Sequence, residues 1–219
     1  MTPAYQGILR LQHAGRAHSL RHIYRVEPFI AGIALIAVAP LLIPVAVIIT
    51  ILSGKAPLVR HVRVGFRGAD LPMLKFRTMW EGRVRWSAPY LVEDVSGVVP
   101  QNKNEGDDRV TSRFAAWCRR FSIDELPQLY HVARGEMSLV GPRPITLAEL
   151  EEHYGENAAR VLSIRPGLTG LWQVLGRSRL SYAQRRRLDL WLVRYASPGL
   201  YLRILWRSIP QVLHGHDAH

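Results

Sequence analysis

Residues 29–52 read FIAGIALIAVAPLLIPVAVIITIL, a run of 24 residues without a charged side chain. About 18 consecutive apolar residues are enough to indicate a segment that enters a bilayer. A secretory signal peptide is the competing interpretation, because residues 37–39 (AVA) resemble a cleavage site. However, Pro40 would follow that cut, and 28 residues precede the run. The run therefore predicts a membrane segment and argues against a soluble protein.

The charges on either side of this run are unusual for a helix that crosses a membrane. Four basic residues precede it and four follow it before the next acid: Arg10, Arg16, Arg21, Arg25, Lys55, Arg60, Arg63 and Arg67. A spanning helix normally has its basic excess on the cytoplasmic side alone. Pro40 and Pro44 each remove a backbone donor and favour a bend. These features favour a re-entrant helix, with a proline-kinked span as the alternative they leave open.

The composition is strongly basic, with 29 Lys and Arg against 17 acids and a net charge of +12. Such an excess favours a polyanionic partner, such as nucleic acid, anionic lipid or a phosphorylated substrate. Aromatic residues do not interleave with the basic runs as a nucleic-acid platform requires, so no nucleic-acid partner is expected. Cys118 is the only cysteine, which excludes an intrachain disulfide and Cys-rich zinc sites. The sequence contains no P-loop, dinucleotide glycine fingerprint or zinc-hydrolase histidine pair.

The chain divides into a basic N-terminal arm (1–27), the membrane helix (28–53) and one further domain (54–219). We expect the fold to be mixed α/β and mainly helical. Turn signals separate short extended pieces over 54–79, and a long polar loop covers 81–110. Helical patterns follow at 111–121, 124–134, 146–163, 182–195 and 199–213.

The last helical pattern is amphipathic. One of its faces is apolar and the other polar: Leu202, Leu205, Trp206, Ile209 and Leu213 lie opposite Arg203, Arg207 and Gln211. A basic amphipathic helix with a tryptophan suits a membrane surface. A helix that packs on the protein core shows the same periodicity, so both interpretations remain open.

Asp124 and Glu125 are adjacent carboxylates that follow Ser122. Because like charges repel, a site that holds both usually supplies a cation or protonates one of them. One carboxylate can then bind Mg²⁺ while the other attacks phosphorus. Helix capping is the alternative, since Ser122 and Glu125 fit a capping box and acids favour a helix N-terminus. That box puts Pro127 at the fifth helical position, where its missing N–H matters, but capping by Asp124 alone stays open.

Two loops hold an arginine between residues that restrict or release the backbone: 141–144 (GPRP) and 165–167 (RPG). Stiff loops that present a guanidinium suit bidentate recognition of phosphate. Two turns with exposed arginines are the simpler explanation. Lys75 and Arg77, at the end of an extended segment, add positive charge, although a lysine there is usually only solvated.

Three segments, 75–79 (KFRTM), 122–144 and 165–177, followed by Asp189, resemble in this order the monotopic phosphoglycosyl transferases. These are the bacterial sugar transferases that begin lipid-linked glycan assembly. The resemblance runs from about residue 29 to 213. The block 124–144 is highly specific in combination with the other two segments, whereas a single Arg-Pro-Gly is a weak signal.

The resemblance implies a ping-pong phosphosugar transfer. A UDP-sugar and Mg²⁺ bind, Asp124 attacks the phosphorus next to the sugar, and UMP leaves. A polyprenyl phosphate, with undecaprenyl as the bacterial default, then takes the phosphosugar. Glu125 corresponds to the Mg²⁺ ligand. Four further residues fall at positions assigned to the active site and the substrate phosphates: Lys75, Arg143, Arg165 and Asp189.

The family fold implied is a monotopic membrane protein with a re-entrant helix, amphipathic interfacial helices and a small cytosolic catalytic domain. The active site would face the cytoplasm at the bacterial inner membrane, and a homo-oligomer is compatible with this arrangement. The family breaks its helix at a Ser-Pro pair, whereas this chain has Ala39-Pro40 and lacks the serine hydroxyl.

Two other classes remain to be tested: a catalytically silent membrane scaffold and a membrane-tethered nucleic-acid binder. The sequence does not indicate which sugar, which polyprenyl length or which glycan pathway is involved.

Overall fold

The computed structural model describes residues 19–80, 91–95, 112–176 and 179–214, and confirms a mixed, mainly helical fold. The helices are α1 (Arg21–Ser53), α2 (Arg113–Arg120), α3 (Leu129–Ala133), α4 (Leu147–His153), α5 (Ala158–Val161), α6 (Leu171–Leu175), α7 (Tyr182–Arg194) and α8 (Pro198–His214). The strands are β1 (Leu58–Val64), β2 (Asp70–Phe76), β3 (Val92–Asp94), β4 (Ser138–Val140) and β5 (Gly167–Thr169). Short 3₁₀ turns occupy Phe66–Gly68, Ile123–Gln128 and Gly155–Asn157.

Helix α1 contains the apolar run and begins at Arg21, so residues 21–27 of the predicted basic arm belong to it. By length and composition it could cross a membrane, and no other helix of the described residues meets that test. Pro28, Pro40 and Pro44 all lie inside the continuous helix. The re-entrant bend at Ala39-Pro40 therefore stays a prediction.

One face of α1 packs on the rest of the protein on both sides of Pro40. Before the proline, Ala31 joins a buried cluster with Leu71 and Met73 of β2. After it, Val45 and Ile49 join a second cluster with Phe76, at the other end of the same strand. The opposite face is apolar and exposed: Phe29, Ile33, Ile36, Ile43 and Ile51. The helix thus packs on the rest of the protein through one face and presents an exposed apolar outer surface.

The extended segments predicted over 54–79 form strands of a three-stranded sheet, in the order β2-β1-β3. Strands β1 and β2 are antiparallel, with Val59 opposite Lys75, and β3 runs parallel to β1. A second sheet pairs β4 and β5 in parallel, with Ser138 opposite Gly167. The sequence did not predict this second sheet, because three-residue strands are too short to show a period-2 pattern.

The predicted helices near 111–121, 182–195 and 199–213 are confirmed as α2, α7 and α8. The patterns at 124–134 and 146–163 are each divided. Pro127, which has no N–H, lies in a 3₁₀ turn before α3, and Gly155, with φ of +46°, separates α4 from α5. Helix α6 was not predicted. Most of the predicted 81–110 loop lies outside the described residues.

Helix α8 has a buried face and a separate exposed one. Its buried face is formed by Tyr201, Ile204 and Ser208. The predicted apolar face is exposed at Leu202, Trp206 and Ile209 and half-buried at Leu205. Core packing therefore does not account for that apolar face, although the helix does pack on the core through other residues.

Candidate active site

Three distant segments meet at the carboxylate of Glu125. Its Oε1 accepts hydrogen bonds from Lys75 Nζ at 2.9 Å and from Arg143 Nη2 at 2.7 Å. Lys75 comes from β2, Glu125 from the 3₁₀ turn 123–128 and Arg143 from the loop after β4. Three of the sequence-predicted site residues are thus brought together, with Asp124 beside them.

The turn that presents the two acids begins at a left-handed residue. Ser122 has φ of +56°, which is rare for a residue other than glycine and costs about 1–2 kcal/mol. The Glu125 N–H bonds back to the Ser122 carbonyl at 3.1 Å. The Ser122 side chain accepts no capping bond, and helix α3 begins after Gln128. The capping interpretations are therefore wrong. The Glu125 side chain instead accepts hydrogen bonds from Lys75 and Arg143.

The environment gives the two carboxyl groups different pKa values. Burial and, secondly, the neighbouring Glu125 charge raise the pKa of Asp124 to about 6, although the charges of Lys75, Arg119 and Arg143 act to lower it. Burial also acts to raise the pKa of Glu125, but Arg143 and Lys75 outweigh it and hold that pKa well below the usual range. Glu125 thus stays ionised, while Asp124 can still exchange a proton near neutral pH.

An aromatic ring also lies near Arg143. Its guanidinium lies 6.0 Å from the ring centre of Trp172, on the unpredicted helix α6. The guanidinium of Arg185 lies 4.8 Å from the same indole ring and 5.1 Å from the ring of Tyr182. The only sequence signal for this support was that Trp172 falls within the third motif segment.

Arg165 contacts the first turn of the apolar helix α1. Its guanidinium lies 4.6 Å above the ring of Tyr24, and its Nη1 donates to the Tyr24 carbonyl at 3.3 Å. The two arginine loops approach each other at Gly141 and Gly167, where an added Cβ would overlap backbone atoms. The loops are therefore adjacent but their arginines have different partners, and the phosphate role of Arg165 stays a prediction.

Asp189 is a buried residue of α7, with 1% of its surface exposed. Its Oδ2 accepts the Tyr154 hydroxyl at 2.7 Å, and its Oδ1 has no hydrogen-bond partner. Burial raises its pKa to about 7, although the Tyr154 hydrogen bond and the charges of Arg143 and Arg185 lower it. Its predicted place among the substrate-phosphate residues stays a prediction.

Arg77 does not add charge to the site as expected. It is 6% exposed, and it donates from Nε to the Ala56 carbonyl at 2.8 Å and from Nη2 to Glu93 at 2.6 Å. It therefore ties the end of β2 to β3. Arg177, in the third motif segment, lies outside the described residues.

The oxygens present fit a magnesium ion that is held jointly with a phosphate substrate. Both hydrogen bonds to Glu125 end on Oε1, which leaves its second oxygen and the Asp124 carboxylate for a metal. Among the described residues, no group of three or more His, Cys, Asp or Glu could hold a metal ion. Mg²⁺ commonly binds one or two carboxylates and completes its shell with water and substrate phosphates.

Comparison with known proteins identifies the family. The family model described as bacterial sugar transferase matches residues 21–215. The chain is 37% identical over 223 residues to the UDP-galactose-lipid carrier transferase of Erwinia amylovora, covering 97% of the chain and 45% of that protein. It is 40% identical over 189 residues to the exopolysaccharide production protein ExoY of Sinorhizobium fredii, covering 85% and 83%.

A third relative is the UDP-glucose:undecaprenyl-phosphate glucose-1-phosphate transferase of Caulobacter vibrioides, 38% identical over 89% of the chain and 71% of that protein. The chain thus spans less than half the length of the Erwinia relative and most of the length of the other two. With the family model matching nearly its whole length, this chain belongs to the bacterial sugar transferase family.

Proposed function

We propose that the protein transfers a sugar-1-phosphate from a UDP-sugar to a polyprenyl phosphate and releases UMP. This reaction would begin the assembly of a lipid-linked glycan, such as an exopolysaccharide. The observation that carries the proposal is the convergence of Lys75 and Arg143 on Glu125, directly beside Asp124. The names of the Erwinia, Sinorhizobium and Caulobacter relatives support it.

The proposed reaction has two displacement steps at one phosphorus atom. In the first, an Asp124 carboxylate oxygen attacks the phosphorus that bears the sugar, and the bond to the bridging oxygen breaks. The electron pair of that bond leaves with UMP, and the phosphosugar remains on Asp124. In the second, an oxygen of the polyprenyl phosphate attacks the same phosphorus and restores the Asp124 carboxylate.

The charged groups around Asp124 would stabilise these steps. Lys75 and Arg143 supply fixed positive charge near the phosphoryl oxygens, where negative charge develops. Glu125 would hold Mg²⁺ through the carboxylate oxygen that Lys75 and Arg143 leave free. When bound, Mg²⁺ would offset charge on the substrate phosphates. The raised pKa of Asp124, about 6, leaves it mostly ionised and able to attack at pH 7.

We place the protein as a monotopic enzyme at the cytoplasmic face of the inner membrane, and the packing of α1 supports the monotopic arrangement. Both halves of the helix pack on the rest of the protein, through Ala31 before Pro40 and Ile49 after it, in two buried clusters that each include residues of β2. A helix that crossed about 30 Å of hydrocarbon would have to leave this domain or draw it into the bilayer. The exposed apolar residues of α1 and α8 would instead enter one leaflet together.

The test is UMP release from a panel of UDP-sugars, with purified protein, undecaprenyl phosphate and Mg²⁺. Asp124→Asn should abolish release, because an amide is a poor nucleophile. Asp70→Asn, at the exposed start of β2, is the matched control and should retain full activity. Substantial turnover by Asp124→Asn would reject the nucleophile assignment. No release with any sugar, in folded protein, would favour the silent scaffold.

The covalent step can be tested without the acceptor. Wild-type protein given a labelled UDP-sugar should gain one phosphosugar per chain, on the peptide that contains Asp124. Asp124→Asn should gain none. Release of UMP without any adduct, under rapid quenching, would show direct transfer and reject the two-step reaction.

A further inference from the structure

The free edge of β2 is held by a buried histidine. Strand β2 pairs with β1 on one side only, and among the described residues its other edge has no partner strand. The Leu74 N–H points to that free edge and donates to Nε2 of His131 at 3.2 Å. Pro72, two residues earlier on the same edge, has no N–H to offer. His131 is 2% exposed, so water cannot readily replace this hydrogen bond.

The hydrogen bonds of His131 define its tautomer. Because Nε2 accepts the Leu74 N–H, the proton of the neutral ring lies on Nδ1. Nδ1 is 2.7 Å from Glu136 Oε2 and donates to it. The other oxygen of Glu136 accepts Arg134 Nε at 2.7 Å. The imidazole ring is thus held in one orientation, with its acceptor nitrogen aimed at the strand.

This histidine connects the two segments that form the Lys75–Glu125 ion pair. His131 lies on α3, which directly follows the 3₁₀ turn carrying Asp124 and Glu125. Its partner Leu74 is the residue before Lys75, whose Nζ lies 2.9 Å from Glu125 Oε1. A shift of β2 relative to α3 would move Lys75 away from Glu125.

We propose that His131, oriented by Glu136, is a positioning residue that fixes β2 against α3 and so places Lys75 on Glu125. Its effect on the reaction is indirect and passes through Lys75. The inference rests on the proposed function for its kinetic test, but its structural part can be measured without any activity.

The kinetic test is a double-mutant cycle between His131→Leu and Lys75→Met, with sugar-phosphate transfer measured radiometrically. A small misplacement near the reacting groups can cost on the order of 100-fold, so His131→Leu should lower kcat by roughly 10- to 100-fold. If His131 acts through Lys75, adding His131→Leu to Lys75→Met should cause little further loss. Losses that multiply would overturn the proposal.

The conservative variant separates positioning from packing. In His131→Gln, Oε1 lies the same number of bonds from Cα as Nε2 and can still accept the Leu74 N–H. This variant should retain most of the wild-type kcat, whereas His131→Leu, which preserves apolar volume, should not. Equal activity of the Leu and Gln variants would overturn the proposal. These two variants also decide the matter if Lys75→Met falls below detection.

Val132→Ala is the matched control for lost stability. Val132 adjoins His131 on α3 and is fully buried in the cluster under α1. The substitution should lower the melting temperature through a cavity, and its effect on activity should multiply with that of Lys75→Met. If Val132→Ala also caused little further loss of activity in the Lys75→Met background, general destabilisation would explain the effects of both substitutions. That result would reject the proposal.

Two measurements need no substrate. Hydrogen exchange of the peptide containing Leu74 should be faster in His131→Leu than in wild type and near wild type in His131→Gln. Nitrogen NMR of His131 should show a protonated Nδ1 and an unprotonated Nε2. Unchanged exchange at Leu74 would reject the positioning role. Failure of wild-type protein to release UMP, with the expected exchange intact, would reject the proposed function alone.

Discussion

The carboxylate of Glu27, on the apolar helix α1, accepts a hydrogen bond from the hydroxyl of Tyr201 on the last helix. The same oxygen accepts the Ser138 hydroxyl and the Leu139 N–H, each at 2.7 Å. Glu27 is 2% exposed. One carboxylate therefore joins α1 and α8 to strand β4, and the loop after that strand carries Arg143.

Tyr201→Phe should destabilise the protein by removing one donor from this carboxylate. A hydrogen bond to a charged group contributes about 1.5–3 kcal/mol, so we expect a loss of that size in the free energy of unfolding. Denaturant unfolding in detergent micelles measures it. Tyr195→Phe, at a residue that is 48% exposed, is the control and should change little. Equal stabilities of the two variants would contradict the structural role of the hydrogen bond between Tyr201 and Glu27.

Asp189 should make stability depend on pH. Burial raises its pKa to about 7 from the ordinary 3.8, so the folded chain binds a proton that the unfolded chain releases. The stability from this proton is fully present below about pH 4 and is lost as the pH rises to 7, by roughly 4 kcal/mol at most.

Asp189→Asn keeps an oxygen for the Tyr154 hydroxyl but cannot ionise. Relative to this variant, the wild-type melting temperature should fall between pH 4 and 7 and then level off. Asp124 titrates in both proteins, so the difference between the two curves isolates Asp189. Parallel curves over that range would show that the residue does not titrate as the burial implies.

Gly167→Ala should disrupt the junction between the two arginine loops. The added Cβ would overlap the backbone of Gly141. Relieving the overlap would require one strand of the β4–β5 pair to shift its backbone. Overpacking of this kind costs about 1–3 kcal/mol or more. Gly199→Ala, at the start of α8 with no atom within 4 Å of the added Cβ, is the control. Thermal unfolding should separate the two variants, and identical melting temperatures would refute the close approach.

The exposed face of α8 should lie in the membrane surface. A nitroxide label at Leu202→Cys or Trp206→Cys should be more accessible to oxygen than to a water-soluble paramagnetic complex when the protein is in bilayers. Cys118 should not label, because it is fully buried and burial raises its pKa to about 11. A label at Glu151→Cys, on the exposed side of α4, should report an aqueous site. Aqueous values at positions 202 and 206 would place this face away from the lipid.

Much of this fold could be predicted because its signals are local. The charge-free run 29–52 predicted a long apolar helix, and the turn residues around 54–79 predicted β1 and β2. Three-residue strands and the short helix α6 carry no periodic signal, so they were missed. Pro127 and Gly155 divided helices whose apolar spacing looked continuous.

The candidate site could be predicted only in part. The sequence identifies Lys75, Glu125 and Arg143, and these three residues meet in the structure. Arg77 looked equivalent to Lys75, two residues away, but it is buried against Glu93. His131 was missed because its role depends on Leu74, 57 positions earlier, and no spacing within one segment reveals that contact.

The sequence by itself determined the apolar helix, the acidic and basic residues that are candidates for the chemistry, and the family. Each of these depends on residue type and on spacing within one short segment. Only the tertiary structure decided which basic side chain reaches Glu125, that α1 packs on the rest of the protein on both sides of Pro40, and that Arg165 lies on Tyr24. These contacts depend on strand register and on the close approach of two glycine loops, which are set by packing between segments far apart in the chain.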